Sequence, residues 1–166
     1  MPGDLKFKFT SMELSILQVN LQNPLDCDQV IKLLNDYMND PMGNNRAMLE
    51  GMVPQIISGL KQHSGFLGFF VMADEQFAGL ANCNSNFSTF KAKPILNIHD
   101  FIIAPEFRNI GAGQFLLAGI INFASQNGFC RVNLEVRGDN YPAKSLYKKM
   151  GFSDCMPQMM FWERKL

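Results

Sequence analysis

The sequence predicts an α/β domain, a mixed sheet with helices on both faces. Short aromatic and β-branched runs near 66–72, 77–83, 95–103 and 132–136 have the length and texture of strands. The stretches 28–37, 46–60 and 114–126 carry apolar residues at helical spacing. The two kinds of segment interleave along the chain, which is the pattern of a sheet covered by helices.

The elements can be justified in order. Residues 12–18 form a first strand. Val30, Ile31, Leu33, Leu34 and Tyr37 make one face of a helix over 28–37, which the turn formers Asp40, Pro41 and Gly43 break. A second helix runs from about 46 to 60 and is kinked near Pro54. The runs 66–72 and 77–83 pair as a hairpin through a tight turn at Asp74 and Glu75. A polar loop over 84–93 ends at Pro94, and 95–103 is a central strand. After a loop over 105–113, the apolar helix 114–126 stops at Asn127 and Gly128. Val132, Leu134 and Val136 alternate as one more strand. Asn140 caps a short helix with Pro142 in its first turn and Gly151 just past its end. Residues 158–164 form a last strand, giving the order β-α-α-β-β-β-α-β-α-β.

Composition narrows the function. The 166 residues, read as one domain over 1–166, are 47% hydrophobic and 18% charged, enough apolar material for a core. Fifteen basic and fifteen acidic residues cancel, which argues against a nucleic-acid groove or a polybasic membrane patch. The longest apolar stretches, 65–73 and 115–121, fall well short of the ~20 residues of a spanning helix. Asp4, Lys6 and Lys8 occupy the place of a leader's apolar region, so the cytoplasm is the expected address. Cys27, Cys83, Cys130 and Cys155 are far apart with no CxxC spacing, so neither a metal site nor a disulfide framework is expected.

The informative stretch is 103–113, where a strand feeds a glycine-bearing turn that opens directly into a helix. Gly111 and Gly113 let backbone N–H groups close on an anion, and the helix dipole adds positive potential there, a geometry suited to a pyrophosphate. The absence of Gly-Lys-Ser/Thr excludes a Walker loop, and the lone GxG pair falls short of a dinucleotide fingerprint.

Arg108-x-x-Gly111-x-Gly113 is followed, after a strand, by Asn140-x-x-Ala143-x-x-Leu146-Tyr147-x-x-x-Gly151-Phe152. In that order the two motifs resemble the GNAT superfamily of acetyl-CoA-dependent N-acetyltransferases, closely over 95–152 and in element order over nearly the whole chain. The resemblance implies a mixed, mostly antiparallel, twisted sheet of order β-α-α-β-β-β-α-β-α-β-β. It implies acetyl-CoA as co-substrate, with the pantetheine arm slotted beside Phe101, Ile102 and Ile103, where the central strand splays from the next. It places the pyrophosphate on the turn of Arg108, Asn109, Ile110, Gly111, Ala112, Gly113 and Gln114, with Asn140 and Ala143 also at the cofactor and Tyr147 at the thioester sulfur. Asn109 stands where the family often has glycine, a substitute suited to positive φ.

The expected chemistry is direct transfer of the acetyl group to an amine, with no metal and no acyl-enzyme. Strand amides near 101–103 can donate to the developing oxyanion, and Tyr147 can donate to the departing thiolate. A protonated alkylamine must first lose a proton. His99 and Asp100 sit just before the pantetheine strand, where the polyamine-acetylating branch of the family carries an acidic pair. Strand alternation sets the two on opposite faces. Glu135 and Arg137 share a face of the following strand as substrate contacts or a ladder pair. The acceptor is expected to be a small primary amine, covered by residues 37–45 and walled by Phe87 and Phe90. The alternatives are a non-catalytic acyl-CoA sensor and transfer to a protein amine. The apolar tail 156–162 points to a homodimer.

Overall fold

The computed structural model describes residues 12–166; Asp4, Lys6 and Lys8, on which the reading of the amino terminus rests, lie outside them. Five strands, β1 (Leu14–Gln18), β2 (Phe66–Ala73), β3 (Gln76–Ser88), β4 (Lys93–Ile103) and β5 (Val132–Leu134), lie side by side in chain order. All neighbours are antiparallel except β4 and β5, which run parallel because helix α3 (Ala112–Gln126) carries the chain back between them. The remaining helices are α1 (Pro24–Asn39), α2 (Met52–Gln62) and α4 (Tyr141–Lys149).

Side-chain alternation divides the sheet into two buried faces. Phe69, Ala81 and Phe101 stand in one cross-strand row, and Phe70, Leu80 and Ile102 in the next, on the opposite face. Nearly all are buried, so both faces must be covered. α3 covers the first face. Its Phe123 meets the Phe69 ring edge-on at 5.0 Å, and its Gly119 lies so near Ile16 that a Cβ there would stand 2.8 Å from Ile16 Cγ1. α1 lies against β3 and β4 with Val30, Leu33 and Leu34 buried.

The chain's local chemistry sets the helix ends. Asn23 caps α1 by accepting from the Leu25 amide at 3.1 Å, with Pro24 as the first helical residue. Buried Asp26 accepts from the Asn20 amide and from Asn23 Nδ2. The second helix begins at Met52, six residues later than its periodicity implies, because the Met48 amide donates to Asn35 on α1 and not to a carbonyl of its own helix. Pro54 therefore falls in the first turn, where its missing N–H costs nothing, and no kink follows. β3 reaches Ser88, absorbing half of the expected polar loop.

Two expectations fail in the last third of the chain. β5 ends at Leu134, so Val136, Glu135 and Arg137 lie beyond the ladder, and Arg137 instead forks onto Asp139 at 2.9 and 2.7 Å. No strand forms over 158–164; Met156, Met159, Met160, Phe161 and Trp162 are all exposed, Trp162 by 83%. A three-residue β5 gives a following strand little ladder to join, Pro157 has no N–H to donate, and the segment lacks the alternation that makes one face apolar. Among the described residues no helix is long and apolar enough to cross a membrane.

Candidate active site

The site follows from an inequality in β4. Its β3 edge is paired from Lys93 to Ile103, but its β5 edge only at Leu96, Asn97 and Ile98. From His99 onward one edge of the strand has no ladder partner, and outward-facing backbone groups over Phe101, Ile102 and Ile103 are left for another occupant, apart from the Ile103 carbonyl, which accepts from Arg108. The splay expected between the central strand and its successor is therefore present.

A β-bulge sits at the point of splaying. Cys83 pairs with Ile98 but Asn82 pairs with Asp100, so His99 is an extra residue with no partner. The simple alternation expected for His99 and Asp100 is broken here. His99 is exposed, while Asp100 is half-buried and accepts from Asn82 Nδ2 at 3.1 Å. Asn82, a polar residue in the apolar run 80–83, is almost fully buried, and its Oδ1 has no partner.

At the end of β4 a short 3-10 turn (Pro105–Phe107) leads into the glycine turn. Asn109 has φ +64° and Gly111 φ +88°, both left-handed, as the Asn-for-Gly exchange requires. The first helical bond of α3 runs from the Phe115 amide to the Gly111 carbonyl. The amides of Ala112, Gly113 and Gln114 precede it, and no side chain caps the helix. Unclaimed N–H groups at the positive end of a dipole fit a phosphate, and the open β4 edge fits an extended amide-bearing arm. The two lie next to each other: a Cβ on Gly113 would come within 3.2 Å of Leu146, 3.5 Å of Ile103 and 3.8 Å of Phe101. Gly113 thus lets α3, α4 and β4 close together.

Arg108 does not turn its guanidinium to that turn. Nε donates to the Ile103 carbonyl at 3.1 Å and Nη2 to Asp40 at 2.8 Å, fastening the end of α1 to the end of β4. The Met42 amide, and after it Arg108, hold the Asp40 carboxyl below the usual carboxylate range. Asn140 caps α4 by accepting from the Ala143 amide at 3.2 Å. Ala112 is buried, and Ile110 is exposed beside the turn.

Tyr147 lies in the last turns of α4, buried between Phe101 and Phe152 at ring distances of 6.1 and 5.9 Å. Burial above all, then the neighbouring Tyr37, pushes its phenol up to about 12, so the hydroxyl keeps its proton through the physiological range. Tyr37 comes from the C-terminal end of α1. Burial, then the charges of Asp100 and Asp40, raise its phenol above the ordinary value, with Arg137 opposing. Tyr37 is thus within electrostatic reach of Asp100 and of Tyr147. The sequence places Tyr37 both on an apolar helix face and at the start of the 37–45 segment expected to cover the acceptor. Its signal was a phenol three residues before Asp40 at a helix end.

Beside Asp40, a shallow cleft of about 450 Å³ is lined by Asp36, Asn39, Pro105 and Glu106. Phe87 and Phe90 do not wall it. Phe87 pairs with Pro94 at the far end of the β3–β4 ladder, roughly 20 Å along the strands from Phe101, and Phe90 is 98% exposed.

A parallel pair that parts early, free amides at a helix start and a buried phenol between them fit a phosphate-bearing ligand with an extended, amide-bearing arm. Known proteins agree. The sequence profile of the Acetyltransferase (GNAT) family matches residues 30–152. The Bacillus subtilis (strain 168) uncharacterized N-acetyltransferase YhfO is 27% identical over 131 residues, 78% of this chain and 85% of that protein. The crystal structure of a probable acetyltransferase superposes with a TM-score of 0.80 at 18% identity, covering 92% of this chain and 98% of the other. Aminoglycoside N-acetyltransferase AAC(6')-Iy in complex with CoA superposes with a TM-score of 0.70 at 15% identity, covering 93% and 95%. The chain belongs to the GNAT acetyltransferase family and is an N-acetyltransferase that uses acetyl-CoA.

A Cβ on Gly111 meets nothing within 4 Å, so glycine is required there by its φ and not by space. Gly111→Ala is expected to cost roughly 1–2 kcal/mol in the left-handed region and to weaken acetyl-CoA binding severalfold in calorimetry. Asn109→Gly, which frees the same kind of position, is expected to leave affinity unchanged.

Proposed function

We propose that this enzyme acetylates a primary amine of a small molecule by direct transfer. The observation that carries this reading is the open edge of β4 over 101–103, with Tyr147 packed on Phe101 at one face, Asp100 on the other, and a cleft lined by Asp36, Asp40 and Glu106 at the end of α1. The amides of Ala112, Gly113 and Gln114 would hold the cofactor's pyrophosphate, and Phe101, Ile102 and Ile103 would pair with its pantetheine arm. The cofactor supplies an activated acetyl thioester.

The chain's own residues do the rest. Backbone N–H groups on the unpaired edge of β4 donate to the thioester oxygen as negative charge develops on it. Tyr147, held in its protonated form by burial, donates to the departing sulfur. Asp100, oriented by Asn82, holds the amine as a cation, and exposed His99 on the bulge passes its proton to solvent. That the aminoglycoside acetyltransferase with the same fold acts on an amine-rich small molecule supports this acceptor class.

Tyr147→Phe keeps the ring between Phe101 and Phe152 and removes the hydroxyl. Turnover is expected to fall about 10²-fold with acetyl-CoA affinity within twofold of the parent, measured by thiol release across an amine panel. Full turnover in the variant would contradict the acid role.

We further propose a homodimer joined through the tail. β5 is an edge strand, and five large apolar side chains between Met156 and Trp162 are exposed beyond it. A second copy gives both an apolar partner in one symmetric contact. Light scattering is expected to return twice the 18.7 kDa chain mass. A monomer mass at high concentration would refute it.

A further inference from the structure

We propose that Asp40 is a positioning residue for the cofactor turn: through Arg108 it fastens the chain turn after α1 to the end of β4, and so holds the backbone that leads into α3 in its phosphate-binding shape. The inference goes beyond the acceptor reading and rests on one part of it, the seating of the cofactor's pyrophosphate on the amides of Ala112, Gly113 and Gln114.

Asp40 is built as an anchor. Its N–H closes α1 onto the carbonyls of Asp36 and Tyr37, and its own carbonyl accepts from the Gly43 amide at 2.8 Å. The Met38 carbonyl accepts from the Asn44 and Arg46 amides at 3.1 and 3.0 Å, so the chain folds back on the helix end. The fold is tight enough that a Cβ on Gly43 would clash with the Tyr37 carbonyl. Both carboxylate oxygens of Asp40 are engaged, Oδ1 accepting from the Met42 amide and Oδ2 from Arg108, each at 2.8 Å.

Arg108, 68 residues further along the chain, is held at two points, Nη2 on Asp40 and Nε on the Ile103 carbonyl at 3.1 Å. With 47% of its side chain exposed it would ordinarily make a weak ion pair, because ordering two side chains offsets the attraction. Here a second bond already orders each partner, and the rigid guanidinium fork bridges a main-chain carbonyl to a carboxylate. The backbone after Arg108 needs such a hold. Asn109 and Gly111 are both left-handed, and a residue other than glycine keeps that conformation where its surroundings fix it. Among the described residues no other side chain hydrogen-bonds the backbone between Ile103 and Gln114.

The test reads acetyl-CoA binding by calorimetry and amide exchange over 109–114 in Asp40→Asn, Arg108→Gln and the double variant. In Asp40→Asn the amide oxygen still accepts from Met42 while its NH2 faces Arg108, so the turn after α1 survives and the link opens. Acetyl-CoA Kd is expected to rise about fivefold in each single variant and no further in the double. Exchange over 109–114 is expected to quicken in the unliganded variants. An ion pair that served stability alone would lower the melting temperature and leave Kd unchanged, and that result overturns the proposal. Tighter binding in Asp40→Asn, the mark of an arginine released to meet a phosphate itself, overturns it too, as do additive losses in the double variant. Should Asp40→Asn fail to fold, Arg108→Lys, which keeps the charge and cannot bridge both partners, carries the same expectation. A parent that binds acetyl-CoA without slowed exchange at 112–114 refutes the pyrophosphate seat and the link with it, an outcome read on the parent alone.

Discussion

Strand β4 is bonded along its whole length on one side and for three residues on the other, and the rest of the site depends on that difference. A fully zipped β4–β5 pair would bury its own peptide groups and leave nothing for a ligand to bond. A strand free on both edges would not be held straight. Pairing with β3 as far as Ile103 provides the rigidity, and departure of β5 after Leu134 provides the vacancy in the ladder. The bulge at His99 and the turn at 109–111 stand at the two ends of this free edge. One redirects the Asn82–Asp100 pair, and the other aims the amides of α3.

The polar groups around this edge divide into those spent on structure and those left over. Arg108 and Asn140, both implied as cofactor contacts by the family motif, have their side chains committed to the Ile103 carbonyl, Asp40 and the Ala143 amide. Those bonds shape the turn and start α4, and they leave Asn140 Nδ2 outside the cap. Buried Cys83, next to Asn82, has its thiol pushed up to about 12 by burial and then by Asp100, so it is not a nucleophile. What remains unspent is the set of backbone amides, Asn82 Oδ1 and the two phenols.

Much of this was legible in the sequence where a rule is local. Asn140, Pro142 and Gly151 mark α4 to within a residue, because caps and stops act on their own neighbours. Asn109 announced a left-handed position, and Gly111 with Gly113 announced the turn that opens α3. The splay came through only by resemblance to a family, since no residue of β5 states where its pairing ends. Misses share a cause in tertiary context. Met48 bonds to Asn35 and delays α2, a contact thirteen residues apart that periodicity does not carry. His99 and Asp100 escaped simple alternation because a bulge depends on the register of the partner strand. Tyr37 reads as a core residue at the edge of the acceptor-covering segment, and its reach to Asp100 shows only once α1 is laid across β4.

Amide hydrogen exchange, with and without acetyl-CoA, addresses the central account most directly. Acetyl-CoA is expected to slow exchange on the free edge of β4 at 101–103 and at the start of α3 at 112–114, while β1, at the opposite edge of the sheet, exchanges as before. Binding that left both stretches unchanged, or that protected β1 instead, would contradict the assignment of the splayed edge as the cofactor's seat.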